Sequence, residues 1–94
     1  MIQTFANTET EKFFSTGTSS RRIASAIHKR AAMRLLQLDA ATHIDDLRLP
    51  PSNRLEALKG NREGQWSIRI NDQWRVCFEW RDGDAWNVEI VDYH

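Results

Sequence analysis

Between Gln65 and Trp80 the chain places an apolar residue at every second position: Trp66, Ile68 and Ile70, then Trp74, Val76, Phe78 and Trp80. Two period-two runs separated by Asn71-Asp72-Gln73 predict a β-hairpin. All these apolar positions are even-numbered. They share one face only if each pair of facing residues sums to an even number, so the turn holds an odd number of residues or a bulge. With Asp72 at its centre, Ile70 faces Trp74, Ile68 faces Val76 and Trp66 faces Phe78. Arg69 then stands directly opposite Arg75 on the other face. Like charges in that position destabilise a strand pair. Either Glu79 and Glu89 neutralise them, or the face holds an anion. Arginine suits the second case because its planar fork of donors matches phosphate oxygens.

The remaining pattern supplies the other elements. Ile2 to Phe5 is a short, half-apolar stretch that fits an edge strand. Thr8-Glu9-Thr10-Glu11 matches a capping box with Thr8 as N-cap, followed by a helix anchored by Phe13 and Phe14 and stopped at Gly17. Ser19 or Ser20 then caps a long helix over Arg21 to about Ala41. Its stripe is Ile23, Ile27, Ala31, Leu35 and Leu38, widened by Ala24 and Leu36. Arg22, Lys29, Arg30 and Arg34 lie mostly off the stripe, which fits either a solvated face or a face that meets an acidic partner or nucleic acid. Ile44 and Leu47 tuck inward from a connector, and Pro50-Pro51 forbids helix or central strand. Asn53 to Leu58 is a candidate strand with Leu55 inward and Arg54 and Glu56 outward. A loop with two glycines leads into the hairpin. After the turn Arg81-Asp82-Gly83-Asp84, the alternation of Trp86, Val88 and Ile90 predicts a last strand from Ala85 to about Tyr93. The order implies an α+β chain, 1–94 as one domain. An N-terminal strand and two helices pack on one face of an antiparallel sheet of about four to five strands.

Composition changes this picture in three places. Formal net charge is zero over 94 residues, yet residues 21–75 hold eleven Lys/Arg against six Asp/Glu, and residues 76–94 hold one Arg against five acids. A basic middle beside an acidic end makes a local positive surface without a global one. The single Cys77 excludes an internal disulfide, and no cysteine cluster suggests zinc, which fits a reducing cytoplasm. There is no basic-then-apolar leader and no run near the about 18 apolar residues of a membrane span, so no membrane association is expected. By parity Trp66, Trp74, Trp80 and Trp86 fall in the core rather than on a base-stacking surface. Cys77 falls on the polar face as a small filler. His28 and His43 read as surface or helix-end residues without metal-ligand spacing.

Three motifs carry a family resemblance: L-K-G-x-R-x-G at Leu58–Gly64, N-x-x-W-R at Asn71–Arg75, and the closing D-Y-H at Asp92–His94. With the element order, they make the chain resemble the HigB toxins, the plasmid maintenance system killer branch of the RelE/ParE superfamily. The resemblance covers nearly the whole chain. It implies a RelE/ParE-like fold and a type II toxin held inactive by a small helix-turn-helix antitoxin of the HigA kind. It implies a toxin that binds RNA at the ribosomal A site and cuts mRNA there without a metal or other cofactor. Translation and growth are thereby inhibited. Family members also repress their own operon, meeting operator DNA through the antitoxin. Residue by residue, the closing motif maps onto Asp92, Tyr93 and His94, and the basic positions onto Lys59 and Arg75.

One position departs from the pattern. A branch of the family has a histidine where this chain has Glu56. Either Glu56 takes over as proton acceptor, or His94 does all the acid–base work, or cutting is weak. Metal-free RNA cleavage needs a base for the 2′-hydroxyl, cations for the pentacoordinate phosphate and an acid for the leaving 5′-oxygen. Arg75, Arg69, Lys59 and Arg62 are the phosphate or RNA-binding candidates. His94 is the leading acid or base, since an ordinary imidazole pKa of about 6.5 suits both roles. Glu56 is a second base, Tyr93 stacks or orients, and Asp92 orients His94 or ends the strand. The plainer readings are a frayed terminal histidine, a packing tyrosine, and Arg75 as an ion-pair partner of Glu79 or Glu89. Two other function classes stay open. One is a toxin that binds without cutting, on the ribosome or its biogenesis, or on DNA gyrase. The other is a DNA-binding partner, disfavoured by the lack of a recognition helix and of net basic charge.

Overall fold

The hairpin register follows from the alternation that encodes it. In the computed structural model, which describes residues 1–18 and 22–93, β2 (Trp66–Arg69) and β3 (Trp74–Arg81) pair antiparallel. The partners are Trp66 with Phe78, Ile68 with Val76 and Arg69 with Arg75. The turn is held by Asn71, whose side-chain oxygen accepts from the Gln73 and Trp74 amides at 2.8 Å each. β1 (Glu56–Ala57) and β4 (Asp84–Asp92) flank this pair, giving one antiparallel sheet in the order β1-β2-β3-β4. Ile2 and Phe5 form isolated parallel bridges to Ala85 and Val88, so the expected edge strand is reduced to two contact points along β4.

β1 is shorter than Asn53–Leu58 because the two prolines lead into a tight turn at Pro51–Asn53, after which Arg54 takes a left-handed φ of 45°. Pairing starts only at Glu56, and the Leu58 amide extends it to the Gln65 carbonyl at 2.8 Å. Leu55 is still half-buried against the core.

Two helices cover one face of the sheet. α1 (Thr8–Thr16) is capped by Asn7 rather than Thr8. Asn7 is extended, and its side chain accepts from the Thr10 amide at 2.8 Å, so the capping signal sits one residue earlier than expected. This leaves the buried Thr10 hydroxyl to accept from the Ile90 amide at 3.1 Å, which fastens α1 to β4. Gly17 closes the helix with φ 74° and donates to the Phe13 carbonyl at 2.9 Å, as expected.

α2 (His28–Ala40) begins well after Arg21. A tight turn over Ser25–Ile27 precedes it, so Ile23 and Ile27 both reach the core without continuous helix. The expected caps Ser19 and Ser20, the expected first helical residue Arg21, and His94 all lie outside the described residues. His28 starts α2 half-buried, its ring centroid 5.1 Å from that of Phe13.

The core is the expected stripe set on the even-numbered sheet face: Ala31, Leu35 and Leu38 against Ile68, Ile70, Val76, Phe78 and Val88. Removing such a side chain costs roughly 2–5 kcal/mol. Leu36 does not widen the stripe; it is 62% exposed, while Arg34 lies inside at 9%. Leu47 is buried and Ile44 half-buried, as the connector pattern implies.

One strand breaks its alternation. β3 and β4 pair Cys77 with Glu89 but Glu79 with Trp86, so β4 carries one extra residue. Asn87 takes it up at φ 52°, a conformation asparagine tolerates better than most residues. Its amide donates to the Thr4 hydroxyl and its side chain to Glu79, both at 2.8 Å. The bulge corrects the expected placement of Trp86. Instead of entering the core beside Trp74, it turns to the opposite face, and Arg81 stacks over its ring at 4.6 Å. Trp66 and Trp80 pack half-buried against the core. Among the described residues no helix is long and apolar enough to cross a membrane.

Candidate functional site

The odd-numbered face of the sheet points away from the helices. Strand register aligns Glu56, Ser67, Cys77 and Glu89 in one row across all four strands, and Arg69, Arg75 and Val91 in the next. Ser67 and Cys77 are buried although they belong to this outer face, so they form a small-residue floor. Burial pushes the Cys77 thiol up to about 11, which marks a neutral filler rather than a nucleophile.

Arg75 lies against this floor. Its Nη1 donates to the Ser67 hydroxyl at 2.6 Å and sits 3.5 Å from the Glu56 carboxylate, and Nη2 meets the Arg54 carbonyl at 3.5 Å. The Tyr93 ring centre lies 5.9 Å from the guanidinium carbon. Three of the sequence candidates, Glu56, Arg75 and Tyr93, therefore come together. The partner of Arg75 is neither Glu79 nor Glu89. Glu79 meets Arg81 and Asn87, and Glu89 meets Arg62.

The others are arranged around this group. Arg62 donates to Glu89 at 2.9 Å and to Gln65 at 3.0 Å. The hydrogen bond to Glu89 is the main cause that raises its pKa further. Arg62 thus belongs to the same face, already paired with a carboxylate. Lys59 is exposed at the start of the Gly60–Arg62 turn. Asp92 ends β4 and accepts from the Gln73 side chain at 3.0 Å. Arg69 departs from the expected cluster: it bonds Asp72, in the hairpin turn, and lines a different cavity on the α2 side. His94 lies outside the described residues.

Sequence reasoning passed over Ser67. It sits at an odd position between Trp66 and Ile68, so parity alone assigns it to the arginine face. Register then sets it on the diagonal from Arg75. A hydroxyl accepting from one guanidinium nitrogen fixes the plane of that group, which a long flexible side chain otherwise lacks.

The arrangement places a cation, a carboxylate and a phenol side by side on the outer face of the sheet. That is the donor set for orienting a phosphodiester and taking a proton beside it.

A family model described as the RelE-like toxin of the type II toxin–antitoxin system HigB matches residues 3–94. The chain belongs to the HigB-like toxin family. Toxin HigB-1 of Vibrio cholerae serotype O1 is 44% identical over 80 residues, covering 85% of this chain and 84% of that protein. Endoribonuclease HigB of Proteus vulgaris is 36% identical over 94 residues, the full length of both. A chain of the YoeB–YefM complex from Staphylococcus aureus shares the fold at TM-score 0.60 and 17% identity, covering 100% of this chain and 98% of that one.

HigB-like membership makes the chain the toxin half of a two-protein system, with an antitoxin as its counterpart. Of the motifs that suggested the family, Leu58–Gly64 leads into β2 and brings Arg62 to Glu89 on β4. Asn71–Arg75 closes the hairpin and delivers Arg75, and Asp92–Tyr93 brings the phenol to the same face.

Proposed function

We propose that this HigB-like toxin is an endoribonuclease that cuts mRNA in the ribosomal A site, with the Arg75 face as its active site. The observation that carries this reading is the convergence of Glu56, Arg75 and Tyr93 on the open side of the sheet, 3.5 Å and 5.9 Å from the guanidinium. Full-length likeness to a protein named Endoribonuclease HigB supports it.

Arg75 holds the scissile phosphate and stabilises the charge that builds on its non-bridging oxygens. Glu56 accepts the 2′-hydroxyl proton as that oxygen attacks phosphorus. The bond to the 5′-oxygen breaks, leaving a 2′,3′-cyclic phosphate, and His94, the residue after Tyr93, protonates the leaving oxygen. Tyr93 orients the phosphate or stacks on a neighbouring base. Arg62 and Lys59 add positive potential along the RNA path, and no metal is needed. The partner that silences the toxin is a HigA-like helix-turn-helix protein, through which the pair meets operator DNA. The toxin acts in the cytoplasm.

A second reading has one observation in its favour. The Glu56 carboxylate already lies 3.5 Å from the guanidinium that a phosphate needs, which favours a toxin that binds without cutting, whether to the ribosome or to DNA gyrase. One assay separates the two. Purified protein is added to translating ribosomes with a defined mRNA, and 5′ ends are mapped with and without ribosomes. Codon-phased, ribosome-dependent ends are expected. Stalled translation with intact mRNA, or inhibited supercoiling, overturns the nuclease.

A further inference from the structure

Between α2 and the hairpin turn a cleft of about 660 Å³ opens, walled by Arg69 and Asn71 of the hairpin but not by Arg75. Among the described residues four of its wall residues are cationic, Lys29, Arg30, Arg34 and Arg69, and none is a carboxylate. Asn71 and Ser52 add neutral polar groups.

Arg34 is the unusual member. It is only 9% exposed, on the inner half of α2, and its Nε donates to the Arg69 carbonyl at 2.9 Å. Arg30 stands one helical turn earlier and donates to the next carbonyl, that of Ile70, at 3.3 Å. Two successive carbonyls at the end of β2 therefore aim two guanidinium groups into the same space. Arg69 bonds Asp72, whose side chain is 99% exposed and faces outward from the turn. Burial is the main cause that lowers the Arg34 pKa, followed by the charges of Arg30 and Arg69. Among the described residues Arg34 donates to one neutral carbonyl, and its guanidinium lines the cleft beside two like charges without any fully buried donor left unpartnered. A partly desolvated charge among like charges is stabilised by an anion that joins it.

We infer that this cleft is a second anion site, which holds one phosphodiester of the RNA strand away from the bond that reacts. Forked guanidinium donors fit phosphate and carboxylate oxygens alike. RNA is chosen over an acidic protein because the cleft is walled by Arg69 and Asn71 of the same hairpin that carries Arg75, the residue proposed to hold the scissile phosphate. The inference rests on RNA being the substrate proposed above. Arg34 and Arg30 are binding residues here, not catalytic ones.

The test uses the full chain and an uncleavable 2′-O-methyl RNA hexanucleotide. NMR follows the Arg34 Nε–H and Asn71 side-chain amide signals while the oligonucleotide, inorganic phosphate or a poly-glutamate peptide is added. The hexanucleotide is expected to shift both signals. Arg30→Gln, at the exposed rim, and Arg34→Lys, which keeps the charge but loses the fork, are each expected to weaken binding about tenfold. Arg30→Gln is also expected to lower the salt slope by about 0.7, the value of one phosphate contact on a single strand. The inference is overturned if neither signal moves with RNA, or if Arg30→Gln binds with unchanged affinity and slope. It is equally overturned if free phosphate or the acidic peptide saturates the cleft as tightly as RNA. Arg75→Ala separates this site from the nuclease proposal: Arg34 still responds to RNA in that variant. If wild type cuts nothing while Arg34 still shifts with RNA, the nuclease reading fails and the cleft stands.

Discussion

Arg69 and Arg75 are direct cross-strand partners, yet their guanidinium groups leave the sheet in different directions. Arg75 bonds Ser67 and Glu56, toward β1; Arg69 bonds Asp72, in the turn. A like-charged pair that is unfavourable when extended in parallel becomes tolerable when each member has its own acid. The split also divides the basic surface into two, the Arg75 face and the cleft beside α2.

If Arg75 carries the phosphate, Arg75→Ala lowers single-turnover mRNA cleavage on ribosomes by about 10²–10³, the usual effect of losing one group that stabilises a developing oxyanion. Arg75→Lys keeps the charge without the fork and falls between the two. Thermal melts of both variants check that the loss is not unfolding. Full growth inhibition by Arg75→Ala removes the assignment.

Glu56→Gln tests the base. The substitution keeps the shape and removes the proton acceptor. If Glu56 takes the 2′-hydroxyl proton, cleavage falls by about 10² or more while RNA binding is kept. A rate that is unchanged or higher means that Glu56 only restrains Arg75.

Asp46 gives a pH dependence of stability. Its carboxylate accepts from the backbone amides of Thr42 and His43 at 3.0 and 3.1 Å, and these bonds hold its pKa below the ordinary 3.8. The lowered value means the folded chain binds this proton more weakly than the unfolded chain. The contribution is present above 3.8 and is lost as pH falls below it toward the folded value. Asp46→Asn should melt below wild type at pH 7, and the gap should narrow by pH 3.

Cys77 should resist thiol reagents. With the thiol buried and its pKa raised to about 11, the native protein at pH 8 should react with a disulfide reagent at least ten times more slowly than the urea-unfolded chain. Rapid reaction in the native state means that the outer-face floor opens.

The hairpin was readable from alternation because each side chain in β2 and β3 obeys the two-residue period. The register, including Arg69 opposite Arg75, follows from parity. The buried stripe of α2 was readable as well, but not its start. Tertiary burial of Ile23 and Ile27 keeps the helical spacing where the backbone is a tight turn. Arg34 could not be placed inside from its spacing, because its burial depends on a carbonyl of β2 that is 35 residues away. The Glu56–Arg75 contact was hidden for the same reason: it requires β1 to pair with β2, and β1 is only two residues long. Trp86 was misplaced because the alternation assumes an unbroken period.

That break at Asn87 acts as a phase slip in the last strand. Beyond it, residues of odd number, Glu89 and Val91, look outward; before it, the even-numbered Trp86 does. Deleting this one residue would erase the slip rather than spread it: Trp86, Val88 and Glu89 would alternate without interruption, with Glu89 still opposite Cys77 and Val91 still opposite Arg75. The cost would fall on the far edge, where the Asn87 amide and side chain hold Thr4 and Glu79. The surplus residue thus serves to fasten the N-terminal stretch to β4, and the reactive group does not depend on it.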